Sequence, residues 1–368
     1  MFEKVILYKE LYSNVCKIKH KNIVIYGMGV ASTNIEKELK NEDLNIIAYC
    51  DSFSRSEDQR FFNSKPVISR TELLQIDNLV VLISAVSIKA RHEISKWLKD
   101  NNIEHLSLDK LIFSRHKSDV LHCYNSLYDS KSKQIYADLI LSRMKNKSPE
   151  RKNISLEPQY LSVIPFHDPL NFKEVFVDCG AYVGDTLSYY TSVRGGVFKK
   201  YIGFEPDYKN YTALKARVER LKNEWNKSDQ DFEILNLGVG KENSTYTLEI
   251  DSLNDGLGSR INKDKNEQAP LHGNNSIEIV SLDSYLKDKI DFLKADIEGF
   301  EFDLLQGCVE TIKSYKPNLA ICIYHNVFDM FRIQQYVKSL VKEYNFEIRH
   351  YSRSFGETVL YCWCDTKE

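Results

Sequence analysis

The residues most suited to chemistry lie in Val-Phe-Val-Asp-Cys-Gly-Ala-Tyr-Val-Gly-Asp, residues 175–185. An apolar run ends at an acid, Asp178, and Gly180 and Gly184 follow. Glycines after a strand permit positive φ and let the backbone come close to whatever lies beyond it. Their spacing is not the dinucleotide fingerprint G-x-G-x-x-G. A carboxylate at the mouth of the turn repels a pyrophosphate and attracts a cation. The ligand that fits is S-adenosylmethionine, which carries a sulfonium and an ammonium group. One β-α-β unit later, Gly-Phe-Glu-Pro sets Glu205 where an acid accepts hydrogen bonds from ribose hydroxyls.

A second group of acids stands in Lys-Ala-Asp-Ile-Glu-Gly-Phe-Glu. Asp296 and Glu298 end an apolar run and Glu301 is one turn further on. Asp296 could take a proton from a hydroxyl, steer it, or hold a divalent cation, although no ligand spacing demands a metal. Acids that open a helix also cap it, and that is the reading for Glu301. His325, in Ile-Cys-Ile-Tyr-His-Asn, is a candidate general base near neutral pH. His350 follows Arg349 in a later run. Either histidine could equally be structural.

A weaker glycine pattern opens the chain: Ile-Val-Ile-Tyr-Gly-Met-Gly-Val-Ala-Ser, with Gly27, Gly29 and Ser32 in the turn and Asp51 closing the next run. Ser32 stands where the fingerprint has its third glycine. The turn could hold a nucleotide or nucleotide sugar, or it could be an empty relic of a fold.

Elements must position these groups. Up to about Lys110, short apolar runs at 23–26, 45–51 and 79–84 alternate with amphipathic stretches, which reads as a small parallel α/β unit. Residues 111–172 are polar, with helical spacing near Tyr136, Leu139 and Met144, and read as a helical connector. From residue 173 the alternation resumes with seven strand-like runs. The last two are joined only by Ser-Arg-Ser-Phe-Gly-Glu, so they should form an antiparallel hairpin. Phe302, Leu305, Val309 and Ile312 suggest one helix, and a polar insert occupies about 241–275. The expected architecture is α/β: a Rossmann-like domain (1–110), a connector (111–172) and a seven-stranded C-terminal domain (173–368).

The bulk composition narrows the class. With 50 basic and 52 acidic side chains the formal charge is −2, which argues against a nucleic-acid partner. No apolar run reaches the roughly 20 residues of a membrane span. The N-terminus does not read as a leader, so a cytoplasmic protein is expected. The eight cysteines form no CxxC pair and read as reduced thiols.

These motifs resemble the FkbM-type methyltransferases. The resemblance rests on Val-Phe-Val-Asp-Cys-Gly-Ala-Tyr-Val-Gly-Asp-Thr, Tyr-Ile-Gly-Phe-Glu-Pro-Asp, Val-Ser-Leu-Asp-Ser-Tyr-Leu, Phe-Leu-Lys-Ala-Asp-Ile-Glu-Gly-Phe-Glu-Phe-Asp-Leu-Leu-Gln-Gly and Lys-Pro-Asn-Leu-Ala-Ile-Cys-Ile-Tyr-His, in that order over about 160–363. It implies a class I fold, S-adenosylmethionine as methyl donor and O-methylation. The cofactor positions it implies are Asp178, Gly180, Ala181, Gly184, Asp185, Glu205 and Asp296, with Asn236 and Leu237 beside the adenine. The catalytic candidates are His325, Asp296 and Glu298. The first 110 residues are similar to small Rossmann-like domains attached to bacterial surface-glycan enzymes. Together these resemblances imply a sugar O-methyltransferase, its substrate a nucleotide-activated sugar such as a GDP-heptose or hexose, in capsule or lipopolysaccharide synthesis. Two alternatives stay open: an NAD-dependent sugar oxidoreductase or epimerase using the Gly27 turn, and a non-catalytic nucleotide-sugar-binding scaffold. The oligomeric state is open, a homodimer included.

Overall fold

The structure is a computed structural model. It describes residues 2–12, 18, 20–28, 32, 44–51, 60–85, 87–163, 172–249, 260–262 and 276–365. The chain divides into two units. The first comprises Met1–Leu156, Tyr324–Arg332 and Ile348–Thr358, the second Glu157–Ile323, Ile333–Glu347 and Val359–Glu368.

In the first unit, α1 (Phe2–Leu11) precedes a six-stranded sheet of β1 (Asn22–Tyr26), β2 (Ile46–Cys50), β3 (Arg60–Phe62), β4 (Lys65–Ile68), β5 (Leu79–Ile83) and β6 (Glu104–Ser107). Its order is β3-β4-β2-β1-β5-β6. All pairs are parallel except β3–β4. The inner strands are apolar on both faces, as a covered parallel sheet requires. Val24, Tyr26, Ala48, Cys50, Val81 and Ile83 face Leu73 of α2 (Arg70–Leu73) and Ile94 and Leu98 of α3 (Ile88–Asp100) in one cluster. Ser69 and Ser87 cap the two helices.

The polar stretch that follows holds three helices: α4 (Leu108–Arg115), α5 (Lys117–Ser126) and α6 (Ser130–Lys145). Composition hid their packing. The inner face of α6 mixes Ile135, Tyr136, Leu139, Ile140 and Met144 with buried Ser132, Ser142 and Arg143. The Arg143 guanidinium and that of Arg91 both reach the buried Asp109, at 3.3 and 2.8 Å. A stripe that mixes polar with apolar groups leaves little periodicity to detect.

The second unit is built on a seven-stranded sheet: β7 (Val175–Cys179), β8 (Lys200–Phe204), β9 (Phe232–Leu235), β14 (Phe292–Ala295), β15 (Asn318–Cys322), β16 (Asn345–His350) and β17 (Thr358–Trp363). All seven expected runs are strands. The order is β16-β17-β15-β14-β7-β8-β9. The pairs from β9 through β15 are parallel and β17 runs antiparallel to β15. Helix α7 (Asp185–Val193) follows β7, and α8 (Tyr208–Trp225), capped by Asp207, follows β8. The insert adds a four-stranded sheet, β10 (Gly238–Val239), β11 (Ser244–Glu249), β12 (Arg260–Asn262) and β13 (Ser276–Val280), in the order β10-β13-β11-β12. After α9 (Leu282–Tyr285) and β14, the expected single helix is two, α10 (Glu301–Gln306) and α11 (Val309–Tyr315). Gly307 separates them because the chain passes close to β10: a Cβ there would lie 2.1 Å from the Gly240 carbonyl oxygen. Asp283 caps the restart, accepting the Glu310 and Thr311 N–H groups at 2.9 and 2.8 Å. Helix α12 (Asp329–Leu340) follows β15.

His350 is fully buried, with Nδ1 2.9 Å from the Thr358 hydroxyl. Burial pushes its pKa down to about 4, so it is a neutral structural group. No disulfide joins the described cysteines, and six of those seven are buried. Among the described residues no helix is long and apolar enough to cross a membrane.

Candidate active site at the carboxyl edge of the seven-stranded sheet

From β7 the chain moves outward through β8 and β9 on one side, while β14 and β15 lie on the other. The crevice of an open α/β sheet lies at such a reversal, beyond the carboxyl ends of the strands. The turn after β7 is tightly knit. Gly180 (φ +78°), Tyr182 (φ +48°) and Gly184 (φ +79°) are all left-handed. The Gly180 and Ala181 N–H groups both donate to the Phe204 carbonyl at 3.0 Å, and Gly184 N–H donates to Ala181 O at 2.8 Å. The glycines are needed for packing within the protein. A Cβ on Gly180 would sit 1.9 Å from the Asp296 carbonyl oxygen, and one on Gly184 2.7 Å from Leu214 of α8. Asp185, the first residue of α7, is exposed.

Asp178 does not face outward as a bare charge. It is fully buried, with Oδ1 3.0 Å from the Lys294 ammonium and Oδ2 accepting the Tyr201 hydroxyl at 2.9 Å. Lys294 also donates to Gly180 O at 2.7 Å. Burial alone would lower the Lys294 pKa, but the Asp178 and Asp296 carboxylates together outweigh it and hold the ammonium protonated. The sequence reading gave Asp178 the task of attracting a cation. The structure gives its charge to Lys294.

Glu205, just past β8, is also buried. It accepts the Tyr182 N–H at 2.8 Å and the Asp207 N–H at 3.0 Å, so it ties the glycine turn to the start of α8. Burial raises its pKa to about 7, against those two hydrogen bonds. Asn236 donates to the Glu205 and Pro206 carbonyls at 2.9 Å each, and half-buried Leu237 follows it.

Asp296 follows β14, with its N–H on Cys179 O at 3.1 Å. Its half-buried carboxylate accepts the Tyr160 hydroxyl at 2.7 Å. Glu298 is exposed and left-handed (φ +53°), and Gly299 (φ +97°) completes a sharp turn. Glu301 is buried and accepts the Ile297 N–H at 2.9 Å, so it closes this turn from the first residue of α10. Tyr160, Tyr182 and Glu298 are non-glycine residues held in left-handed backbone at one sheet edge, and strain of that kind gathers at functional sites.

His325 lies three residues beyond β15, in the Tyr324–Arg332 segment of the first unit, its ring 3.9 Å from that of Tyr324. In the N-terminal turn, Gly27 is left-handed (φ +112°). Its carbonyl accepts the Ser32 and Ser84 hydroxyls at 2.7 and 3.0 Å, and those hydroxyls are 2.7 Å from each other. Asp51 is half-buried, 4.0 Å from Arg60. Gly29 lies outside the described residues.

The sequence reading overlooked Lys294, Tyr201 and Tyr160. For Lys294 the signal was present: a cation inside an apolar strand must find a partner. Tyr160 lies outside every periodic run, so nothing in the pattern marked it.

Seven strands in this order, with an antiparallel β17 between β15 and β16 and a glycine turn after β7, define the class I methyltransferase fold. The model of the FkbM methyltransferase domain matches residues 178–357, so the chain carries an FkbM methyltransferase domain there. It is an S-adenosylmethionine-dependent methyltransferase. A solved structure of a methyltransferase FkbM from Methylobacillus flagellatus KT is similar over 98% of this chain and 97% of that one, with a TM-score of 0.54 and 20% identity. An rRNA methylase from Streptococcus thermophilus covers 55% of this chain and 92% of its own, with a TM-score of 0.34 and 15% identity. No curated protein matches the chain.

Proposed function

We propose that the chain methylates a sugar hydroxyl, with S-adenosylmethionine lying across the carboxyl ends of β7, β8 and β14. The observation that carries the reading is the placement of two acceptor carboxylates on either side of one glycine turn. Glu205 holds the turn from the β8 side and Asp296 abuts it from the β14 side. This donor set fits the cofactor, because Glu205 can accept ribose hydroxyls and Asp296 lies at the end that a cationic group would occupy. When bound, the cofactor supplies an electrophilic methyl group on a sulfonium.

The remaining work falls to the chain. Glu205 fixes the ribose and Asn236 and Leu237 border the adenine. Gly180 and Ala181 hold the turn against β8. Asp296 and Glu298 are the groups we assign to the acceptor side. A carboxylate there accepts the hydrogen bond of a sugar hydroxyl, aligns its oxygen and takes the proton as the new C–O bond forms. The acidic character of this edge supports a hydroxylic acceptor over a polyanion. A nucleotide-activated sugar of a surface-glycan pathway, such as a GDP-heptose or hexose, is the acceptor class we favour, on the resemblance described above.

Calorimetry with S-adenosylhomocysteine tests the cofactor reading: folded protein that gives no binding heat would sink it. Incubation with S-adenosylmethionine and a panel of nucleotide sugars, followed by mass spectrometry, tests the acceptor class. Gain of one methyl group on a sugar is expected. Methylation of RNA, with none on any sugar, would overturn it.

A further inference from the structure

We propose that Lys294 is a positioning residue for the cofactor: its buried ammonium braces the glycine turn and Asp296 against each other from behind the site. The inference rests on the cofactor reading above and adds to it a residue that is itself closed off from solvent.

A lysine inside an apolar strand keeps its charge only where partners face it. Lys294, the third residue of β14, has several. It donates to Gly180 O at 2.7 Å, in the turn after β7. The Asp178 carboxylate lies 3.0 Å away. The Tyr160 ring lies against the ammonium, with its centroid at 5.1 Å. The hydroxyl of that same ring donates to Asp296 Oδ2 at 2.7 Å. Asp296 stands two residues after Lys294, where the two-residue period of a strand puts it on the same side. Its negative charge acts on the ammonium together with that of Asp178.

These contacts do two different things. Asp178 is fully buried and neutralises the lysine, which accounts for the burial of both. The Gly180 carbonyl is neutral, so holding it adds nothing to charge balance. What it does is fix the turn. Gly180 and Tyr182 both keep left-handed backbone, and at Tyr182 (φ +48°) the surroundings must impose it. The turn also has no slack against β14. A Cβ on Gly180 would lie 1.9 Å from the Asp296 carbonyl oxygen, and the Asp296 N–H is bonded to Cys179 O at 3.1 Å. A turn that shifts therefore shifts Asp296 with it. A charged donor on the Gly180 carbonyl is a stronger brace than a neutral one. Lys294 thus sets the place of the turn on which the cofactor would rest and of the acid beside it.

The test separates bracing from charge compensation and needs no acceptor. S-adenosylhomocysteine is titrated by calorimetry onto the full chain as wild type, as Asp178→Asn, and as Asp178→Asn with Lys294→Met. If Lys294 served only as counter-ion to Asp178, its removal after Asp178 has lost its charge would change nothing further. Bracing predicts that the double variant binds about tenfold more weakly than Asp178→Asn, the scale of one charge-assisted hydrogen bond. Equal affinity in those two variants would overturn the inference and leave the cofactor reading standing. Lys294→Arg and Lys294→Gln form a second arm, which decides the matter where Asp178→Asn yields no folded protein. The arginine keeps the charge and should bind at least about threefold more tightly than the glutamine. Equal or weaker binding by Lys294→Arg would overturn the inference. A folded wild type that binds no S-adenosylhomocysteine would overturn the cofactor reading and this inference with it.

Discussion

Lys294 Nζ lies 3.0 Å from Asp178 Oδ1, on neighbouring strands of the seven-stranded sheet, with both side chains closed off from solvent. The ammonium also holds the Gly180 carbonyl, so one cation joins the acid that ends β7 to the turn that follows it. Removing one partner of a buried pair leaves the other charged in a poor solvent. Lys294→Met should therefore cost about 3–5 kcal/mol in a urea denaturation. The double variant Asp178→Asn with Lys294→Met should recover a large part of that loss. Equal losses in the single and double variants would refute the pairing.

Glu205 gives a pH signature. Burial raises its pKa in the folded chain to about 7, well above the ordinary 4.5. The folded state therefore binds a proton that the unfolded state has released. This group's contribution to stability is highest at acid pH, falls as pH rises from about 4.5 and levels off above about 7. The loss across that window is on the order of 3 kcal/mol. Unfolding free energies at several pH values should carry this slope, and Glu205→Gln should flatten it. S-adenosylhomocysteine affinity should move the opposite way, strengthening as pH rises through about 7, because an ionised carboxylate is the better acceptor for ribose hydroxyls. Pronounced weakening of binding by Glu205→Ala is the companion result.

Gly180 and Gly184 look alike in sequence and should respond differently to alanine. At Gly180 the new Cβ meets backbone 1.9 Å away, at a residue also held left-handed. Nothing there can yield without moving β14, so Gly180→Ala should cost at least about 3 kcal/mol or abolish soluble expression. At Gly184 the nearest atom is the end of the Leu214 side chain, which can rotate. Gly184→Ala should cost about 1–2 kcal/mol, mainly for the left-handed backbone. Thermal unfolding of the two variants decides it.

The strands of the seven-stranded sheet were legible because each holds a short apolar run, whereas β3, β4, β6 and β12 are three or four residues long with a charged residue in each and left no such run. The final hairpin was legible too, since six residues leave no room for a crossover. The glycines were legible as a place of close approach, but not what approached them. Gly180 clears space for Asp296 and Gly184 for α8, and both partners lie far away in sequence. Asp178 was placed correctly at the strand end, yet its charge state depends on Lys294, 116 residues later, brought alongside by the β7–β14 pairing. Position along a strand is a local property. Electrostatic pairing across a parallel sheet is not, and no period in the sequence records it.

The N-terminal turn offers the last test. Ser32 sits at the third position of a glycine fingerprint, but its hydroxyl is buried and directed back to Gly27 O, where it meets Ser84. Two hydroxyls on one carbonyl close the turn from within, and each leaves an unmet partner if it is removed. Ser32→Ala should cost about 1–3 kcal/mol, the price of a buried hydrogen-bonding group losing its mate. If that hydroxyl serves the fold and not a ligand, GDP titrated onto wild type and Ser32→Ala should give the same heat. A wild-type affinity for GDP that falls at least about fivefold in Ser32→Ala, with the variant still folded, would return the residue to the binding role its sequence position suggested.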